Sequence, residues 1–257
     1  MSIYDHFRKE ERVFVDQILK WKEEASERYS VKLTDFLDER EQFILQNIIG
    51  HQDEVKVKFF GGTESAERKR AIIYREFMEP NEEDFELSYY EIHYESKFHS
   101  LSHRDVLGSM MSLGMKRTKF GDILNNEDRI QIILMKEIES FVEINFNSIR
   151  NAPIKLEKIN SFQLMEIKDN WTQLSGTVSS LRIDSLISEF YNLSRQKAQM
   201  LVKAGLVKVN QKIIDSTSFQ CAEGDVFSVR GFGRSKLLSI DGKSKKEKWR
   251  IIYGTQK

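Results

Sequence analysis

The sequence predicts an α+β fold built from several units, on three observations. Helix-period apolar patterns and alternating strand-like runs are interspersed along all 257 residues, which is the signature of mixed layers rather than of a bundle or a sandwich. The order strand, helix, strand, strand, helix, strand occurs once between Phe85 and Ile159, and two helices followed by short strands come after it. Charge divides the chain although its total is zero. Residues 181–257 hold 15 Lys and Arg against 7 Asp and Glu, leaving 25 against 33 in residues 1–180, so the two parts carry about +8 and −8. An asymmetry of that size marks the C-terminal part for a polyanionic partner. The length accommodates one large domain or two to three small ones, each able to bury a core.

From Asp5 to about Tyr29 the pattern predicts a helix whose apolar side is Phe7, Val13, Phe14, Ile18, Leu19 and Trp21. A second helix is expected from Asp35 to about Ile49, with Thr34 as N-cap, Phe36, Leu37, Phe43, Ile44, Leu45 and Ile48 inward, and Gly50 as its stop. Val55, Val57 and Phe59 alternate with Lys56 and Lys58, Phe60-Gly61-Gly62 turns the chain, and Ala71 to Tyr74 reads as the partner strand. A small unit ending near Pro80 follows.

The acidic run from Glu79 to Glu95 reads as a solvated face or linker that would repel RNA, and its second half, Phe85 to Tyr94, has the β-propensity of a strand. In FHSLSHRDVLGSMMSLGMKRTKFGDI, Ser102 is a helix N-cap and Asp105 sits in the first turn, where negative charge suits the dipole. Val106, Leu107, Met110, Met111 and Leu113 form the apolar side, while Gly108 permits close packing and Gly114 a C-terminal stop. Lys116, Arg117 and Lys119 then form a basic connection, a candidate second phosphate contact, before a strand through Phe120, Ile123 and Leu124. Ile130 to Leu134 is a strand, Glu137 to Phe146 a helix, and Ile154 to Ile159 a strand. This is the split order of a ferredoxin-like unit. RRM domains share it, but no RNP1-like run with stacking aromatics is present, so the unit is not read as an RRM by function. Residues 166–180 have no helix period and read as a connector able to carry a strand.

After the connector, Ile183, Leu186, Ile187 and Phe190 fall on one helix face. Ser194 caps a second helix in which Ala198, Leu201 and Val202 are inward, and Gly205 ends it. Arg195, Gln199 and Lys203 lie four apart, a basic stripe expected to point to water. Val207 and Val209 alternate with Lys208, Asn210 to Lys212 turns the chain, and Gly224-Asp225 turns it again before Val226. The tail from Asp241 adds Lys243, Lys245, Lys246, Lys248 and Arg250, which enlarge the electrostatic footprint.

Arg182-x-Asp184, Ser194-Arg195-x-x-Ala198, Leu201-Val202-x-x-Gly205-x-Val207-x-Val209-Asn210 and Gly224-Asp225 resemble the S4 RNA-binding domain, with Gln211 standing where many such domains have Gly. The resemblance implies that the helix pair docks on structured RNA. Helix N-terminal amides with nearby Arg or Lys agree with it as an anion site. Contact candidates are Arg182, Ser194, Arg195, Lys197, Gln199, Lys203 and Lys208, then Lys212, Arg230, Arg234 and Lys236.

Together with GTVSSLRIDSLI, GFGRSKL and the stretch from Leu101 to Ile123, these runs resemble the YlmH family over essentially the whole chain. That resemblance implies an N-terminal domain ahead of a C-terminal S4 domain, a link to the large ribosomal subunit, and a part in quality control of stalled nascent chains. There an S4 domain touches ribosomal RNA near a peptidyl-tRNA. It also implies an association with cell-division genes. The expected architecture is an N-terminal α/β unit (1–80), a ferredoxin-like unit (81–165), the connector (166–180), an S4 domain of the αL type (181–240) and a basic extension (241–257).

Catalytic constellations are not found. His103-Arg104-Asp105 lacks the other kinase signatures, and His99 and His103 lack a third metal ligand. Arg182-Ile183-Asp184 looks like a pseudouridine synthase motif only because it opens the S4 helix, and no tyrosyl-tRNA synthetase signatures occur. A binder of large-subunit ribosomal RNA, with tRNA, and with no catalytic residue, metal or cofactor is therefore expected. The alternatives are a cell-division partner acting through protein contacts at its acidic N-terminal part and an accessory of RNA modification. Cys221 is the sole cysteine, the start MSIYDHFRKEERVF has no signal-type apolar core, and no run of 18 apolar residues occurs. A cytoplasmic location without membrane contact is expected.

Overall fold

The structure, a computed structural model, describes Phe7 and residues 11–50, 54–126, 129–166 and 171–256. The expected helix start at Asp5, and residues 167–170 of the expected connector, lie outside them. Two compact units divide the chain, residues 1–168 and 169–257.

In the first unit, α1 (Arg12–Arg28) is followed by β1 (Lys32–Leu33), α2 (Glu39–Ile49), β2 (Val55–Phe60) and β3 (Arg70–Arg75). The strands form an antiparallel sheet in the order β1-β3-β2, and both helices pack on it. The buried stripe of α1 is Val15, Ile18, Trp21 and Ala25. Val13, expected inward, is 78% exposed, because the spacing that includes Ile18 and Ala25 leaves it on the opposite side. The cap of α2 also differs from expectation. Thr34 is buried, its hydroxyl accepts the Ala71 amide at 2.9 Å and its own amide donates to the Ala71 carbonyl at 2.9 Å, so it serves the sheet. Asp38 caps instead, with its carboxylate accepting from the Glu41 amide and the Glu41 carboxylate accepting from its own. Phe36 and Leu37 thus precede the helix, and Phe43 faces outward.

Next come β4 (Leu87–His93), α3 (His103–Ser112), β5 (Phe120–Asn125), β6 (Ile130–Met135), α4 (Glu139–Asn145), a short hairpin of β7 (Ser148–Ile149) and β8 (Ala152–Pro153), and β9 (Lys155–Ile159). The helix expected from Glu137 begins instead with a 3-10 turn over Lys136–Ile138. The sheet order β5-β6-β4-β9, antiparallel throughout, is the ferredoxin-like one. Ser102 and Asp105 form the predicted cap of α3. Met110 is buried but Met111 is exposed, and a side chain at Gly108 would meet open space, so the close packing expected there is not found.

Both faces of this sheet are covered. On one, Tyr90, Ile92, Ile132 and Leu134 pack with Val106, Met110 and Val142 from α3 and α4. On the other, Ile133 and Met135 pack with Phe36 and Met165. A Cβ at Gly121 would lie 2.7 Å from the Phe36 ring, which is the reason for glycine there. Double burial explains why β6 reads as a nearly unbroken apolar run. Its one polar residue, Gln131, is fully buried, donating to Glu91 and the Gln163 carbonyl and accepting from the Met165 amide. Arg70 ties the same junction, donating from Nε to the Thr34 carbonyl at 2.7 Å and from Nη1 to the Phe85 carbonyl at 2.8 Å. Residues 1–80 and 81–165 consequently lie in one compact unit.

The second unit contains β10 (Thr172–Val178), α5 (Ile183–Phe190), α6 (Arg195–Lys203), β11 (Val207–Val209), β12 (Lys212–Ile213), β13 (Val226–Val229), β14 (Gly233–Lys243) and β15 (Trp249–Gln256). They make an antiparallel sheet in the order β10-β15-β14-β13-β11-β12. The expected connector therefore holds an edge strand, and the lysine-rich tail is the end of a long hairpin.

Candidate nucleic-acid interface

Two helices are fixed on one face of the C-terminal sheet by their apolar stripes. Ile183, Leu186, Ile187 and Phe190 of α5 and Ala198, Leu201 and Val202 of α6 share a core with Val207, Phe227, Val229 and Leu237. The Ser194 hydroxyl accepts from the Lys197 amide at 3.2 Å and starts α6. At the other end Gly205 takes φ 68, its amide donates to the Val202 carbonyl, and the Leu206 amide donates to the Leu201 carbonyl, which is a Schellman closure.

One carboxylate holds the pair together. Asp184 is 0% exposed in the first turn of α5 and accepts from Arg182 Nε and Nη2 at 3.2 Å each, from Arg195 Nε at 3.0 Å and from Gln199 Nε2 at 2.8 Å. Burial by itself raises this carboxyl's pKa, but the bonds from Arg195, Gln199 and Arg182 outweigh it and hold the group below its ordinary value. The stripe expected to face water is thus corrected. Arg195 and Gln199 turn to Asp184, since a fully buried charge has to be partnered, while Lys203 is exposed in the last turn of α6. The Arg195 side chain nevertheless stays 49% exposed and that of Arg182 33%, so each guanidinium has a protein side and a solvent side.

The other candidates separate by face. Lys197 and Lys203 are exposed on α6. Strand register puts Lys208 opposite Ser228, Ser228 opposite Arg234, and Lys236 opposite Val226, whereas the core residues Val207, Val209 and Phe227 alternate with them. Lys208, Arg234 and Lys236 therefore lie on the sheet face away from the helices. Arg234 there is 6.0 Å from the Trp171 ring centre. Lys212 is exposed on the β12 edge and Arg230 in the turn after β13. The hairpin between β11 and β12 is a two-residue turn with Asn210 at φ 47 and Gln211 at φ 63, so it stays tight without glycine.

In the first unit, the basic connection after α3 is mostly turned inward. Arg117 donates to the Phe120 carbonyl at 2.6 Å and the Gly121 carbonyl at 2.9 Å, and its guanidinium lies 4.5 Å from the Phe120 ring centre. Burial, then the nearby Arg68 charge, pushes its pKa down to about 10. Lys119 donates to Asp35 at 3.0 Å and Glu137 at 2.8 Å. Only Lys116 of the three is exposed. Sequence reasoning missed the anchoring role of Asp184. The signal was available, since an aspartate inside an otherwise apolar helix pattern requires a donor from a neighbouring element. It also missed Met200, 59% exposed on α6. Among the described residues no group of His, Cys, Asp and Glu is placed to hold a metal ion, and no helix is long and apolar enough to cross a membrane.

Three family models match the chain: "YlmH, N-terminal" over residues 10–78, "Putative RNA-binding domain in YlmH" over residues 80–163, and the S4 domain over residues 181–227. The chain is 47% identical over 262 residues to the ribosome-associated protein quality control protein P2 of Bacillus subtilis (strain 168), covering 100% of this chain and 99% of that one. Among solved structures it is similar to the cell division protein YlmH from Streptococcus pneumoniae, with a TM-score of 0.54 and 30% identity, over 64% of this chain and 100% of that one.

Proposed function

The chain belongs to the YlmH family, and from that premise we propose that it is a ribosome-associated RNA-binding protein of translation quality control. Its ligand in this reading is large-subunit ribosomal RNA together with tRNA, and the helix face of the C-terminal unit is the contact. The observation that carries the proposal is the Asp184 cluster. It orders α6 so that the exposed sides of Arg182 and Arg195 lie with Ser194 and Lys197 at the amide end of the helix, while Lys203 stands exposed in its last turn. Cations pre-set on a rigid helix near its amide end give phosphate contacts at low ordering cost. The net charge of about +8 in residues 181–257 supports the same ligand by long-range attraction.

The protein acts by binding, without turnover of RNA or nucleotide, in the cytoplasm. Sequencing of RNA crosslinked to it in cells, alongside gradient fractionation, tests the proposal. Enrichment of large-subunit RNA and tRNA in ribosomal fractions is the expected outcome. Absence from those fractions, with protein crosslinks instead, moves a division-machinery partner to first place. That second reading draws on the name of the pneumococcal relative and on the excess acidity of residues 1–180.

A further inference from the structure

The segment matched to an RNA-binding domain in YlmH has its sheet closed on both sides. Folds of this topology that bind RNA stack bases on the open sheet face, and here Phe36, Leu164 and Met165 fill that face. Any RNA contact of residues 80–163 has to use another surface. Beside the β7–β8 hairpin a cavity of about 250 Å³ opens to solvent. It is lined by Phe98, His99 and the buried Leu101 from the segment before α3, and by the buried Ile149 with Arg150 and Asn151 from the hairpin.

We propose that this cavity binds one unpaired RNA nucleotide, with the base against Phe98, its edge at Asn151 and its phosphate at Arg150. The proposal rests on the RNA-binding reading given above. A nucleobase is flat, apolar on its faces and polar at its edge, and each wall matches one of these features. The Phe98 ring is 76% exposed and offers a stacking face. A carboxamide supplies both a donor and an acceptor, which suits any base edge. The Arg150 side chain is 68% exposed and steadied by the Asp105 carboxylate at 3.2 Å, leaving guanidinium N–H groups for a phosphate. Arg150 holds φ 54, a left-handed conformation uncommon for arginine, and its amide donates to the Ser109 hydroxyl at 3.2 Å. The hairpin tip is thereby pinned to α3, and Arg150 and Asn151 line the cavity from a fixed base. Lys97 and Arg104 are exposed nearby in sequence and add positive charge to the approach. A paired duplex does not fit, because its bases are stacked on one another and out of reach of a single ring.

The full chain is titrated with two fluorescent probes, an unstructured RNA oligonucleotide and a blunt RNA duplex. Phe98→Ala is expected to weaken the unstructured probe about tenfold, the order of one stacked base, and to leave the duplex unchanged. Phe98→Trp keeps the affinity, and Arg150→Ala weakens the same probe selectively. Ultraviolet crosslinking to the unstructured probe is expected to mark the peptide containing Phe98. Equal weakening of both probes, or an unchanged affinity of Phe98→Ala for the unstructured probe, overturns the pocket while the C-terminal interface stands. Binding of neither probe by the wild-type chain overturns the RNA reading itself and the pocket with it.

Discussion

Helix α6 and the turn between α3 and β5 each carry three cations, Arg195, Lys197 and Lys203 along the first and Lys116, Arg117 and Lys119 in the second, and they are partnered in opposite ways. In the turn, two backbone carbonyls and an aromatic ring take Arg117, and two carboxylates neutralise Lys119. On α6 one buried carboxylate takes the inner edge of Arg195 and leaves the lysines to solvent. The difference lies in where the compensating negative charge sits. Asp184 is beneath the helix, so it orders the cations without covering them. Asp35 and Glu137 are partly exposed beside the turn and compete directly with any phosphate.

The sharpest way to break this contrast is to remove Asp184. Asp184→Asn removes the buried carboxylate that accepts from Arg182, Arg195 and Gln199, leaving two part-exposed guanidinium groups without their counter-charge, and a loss of about 3 kcal/mol is expected from those charge-assisted bonds. Hydrogen exchange of α5 and α6 amides reads it locally, and unchanged protection there would sink the anchoring role. The same carboxyl gives a pH signature. Its folded pKa lies below the ordinary 3.8, so the unfolded chain takes up the proton first. The stability it adds is fully present above about pH 4 and is lost as pH falls through the lowered value. Protection of α5 and α6 is expected to fall in that window in wild type and to lose that dependence in Asp184→Asn.

Arg117→Ala tests the other half. Two partly buried carbonyls lose their donor, which costs about 2 kcal/mol in the first unit, and RNA affinity is expected to stay at the wild-type value. A fall in affinity with stability intact would make Arg117 a ligand contact. Lys197→Ala with Lys203→Ala is the mirror case. Neither lysine serves the Asp184 cluster, so the melting temperature is expected to hold, while the log–log salt slope of RNA binding flattens by about two units, one per phosphate contact. A slope equal to that of wild type would move the interface off this face of α6.

What could be read from the sequence follows the same division. The caps at Ser102 and Ser194, the stop at Gly205 and the ferredoxin-like order were legible because each is a local rule satisfied within a few residues. Thr34 misled because a threonine before an apolar pattern has the right chemistry for a cap, and only the distant Ala71 shows that a strand claims it. The family of the C-terminal unit was carried by types and spacings. The free and the spent cations were not separable, since Asp35 and Glu137 reach Lys119 from 84 and 18 residues away. For the same reason the candidates on β11 and β14 could not be assigned to the face opposite α6 until strand register was known.

The smallest expected effect decides whether the turn has any part in binding. Lys119→Ala removes a charge that two carboxylates already compensate, and pairs of this exposure contribute at most about 1 kcal/mol. Its removal also leaves Asp35 and Glu137 unneutralised beside one another. If the turn were an RNA contact, the variant would weaken binding by removing a cation and again by exposing two repelling carboxylates, and the salt slope would drop by about one unit. With Lys119 committed to its carboxylates, the loss in affinity is instead expected to be confined to diffuse repulsion, which added salt screens over about 10 Å at 0.1 M. Lys116→Ala removes the exposed member and serves as the control, with stability expected to stay within about 0.5 kcal/mol of wild type. A salt slope that falls in Lys116→Ala but not in Lys119→Ala assigns the turn a single phosphate contact through Lys116, and an unchanged slope in both leaves binding to the C-terminal unit and the Phe98 cavity.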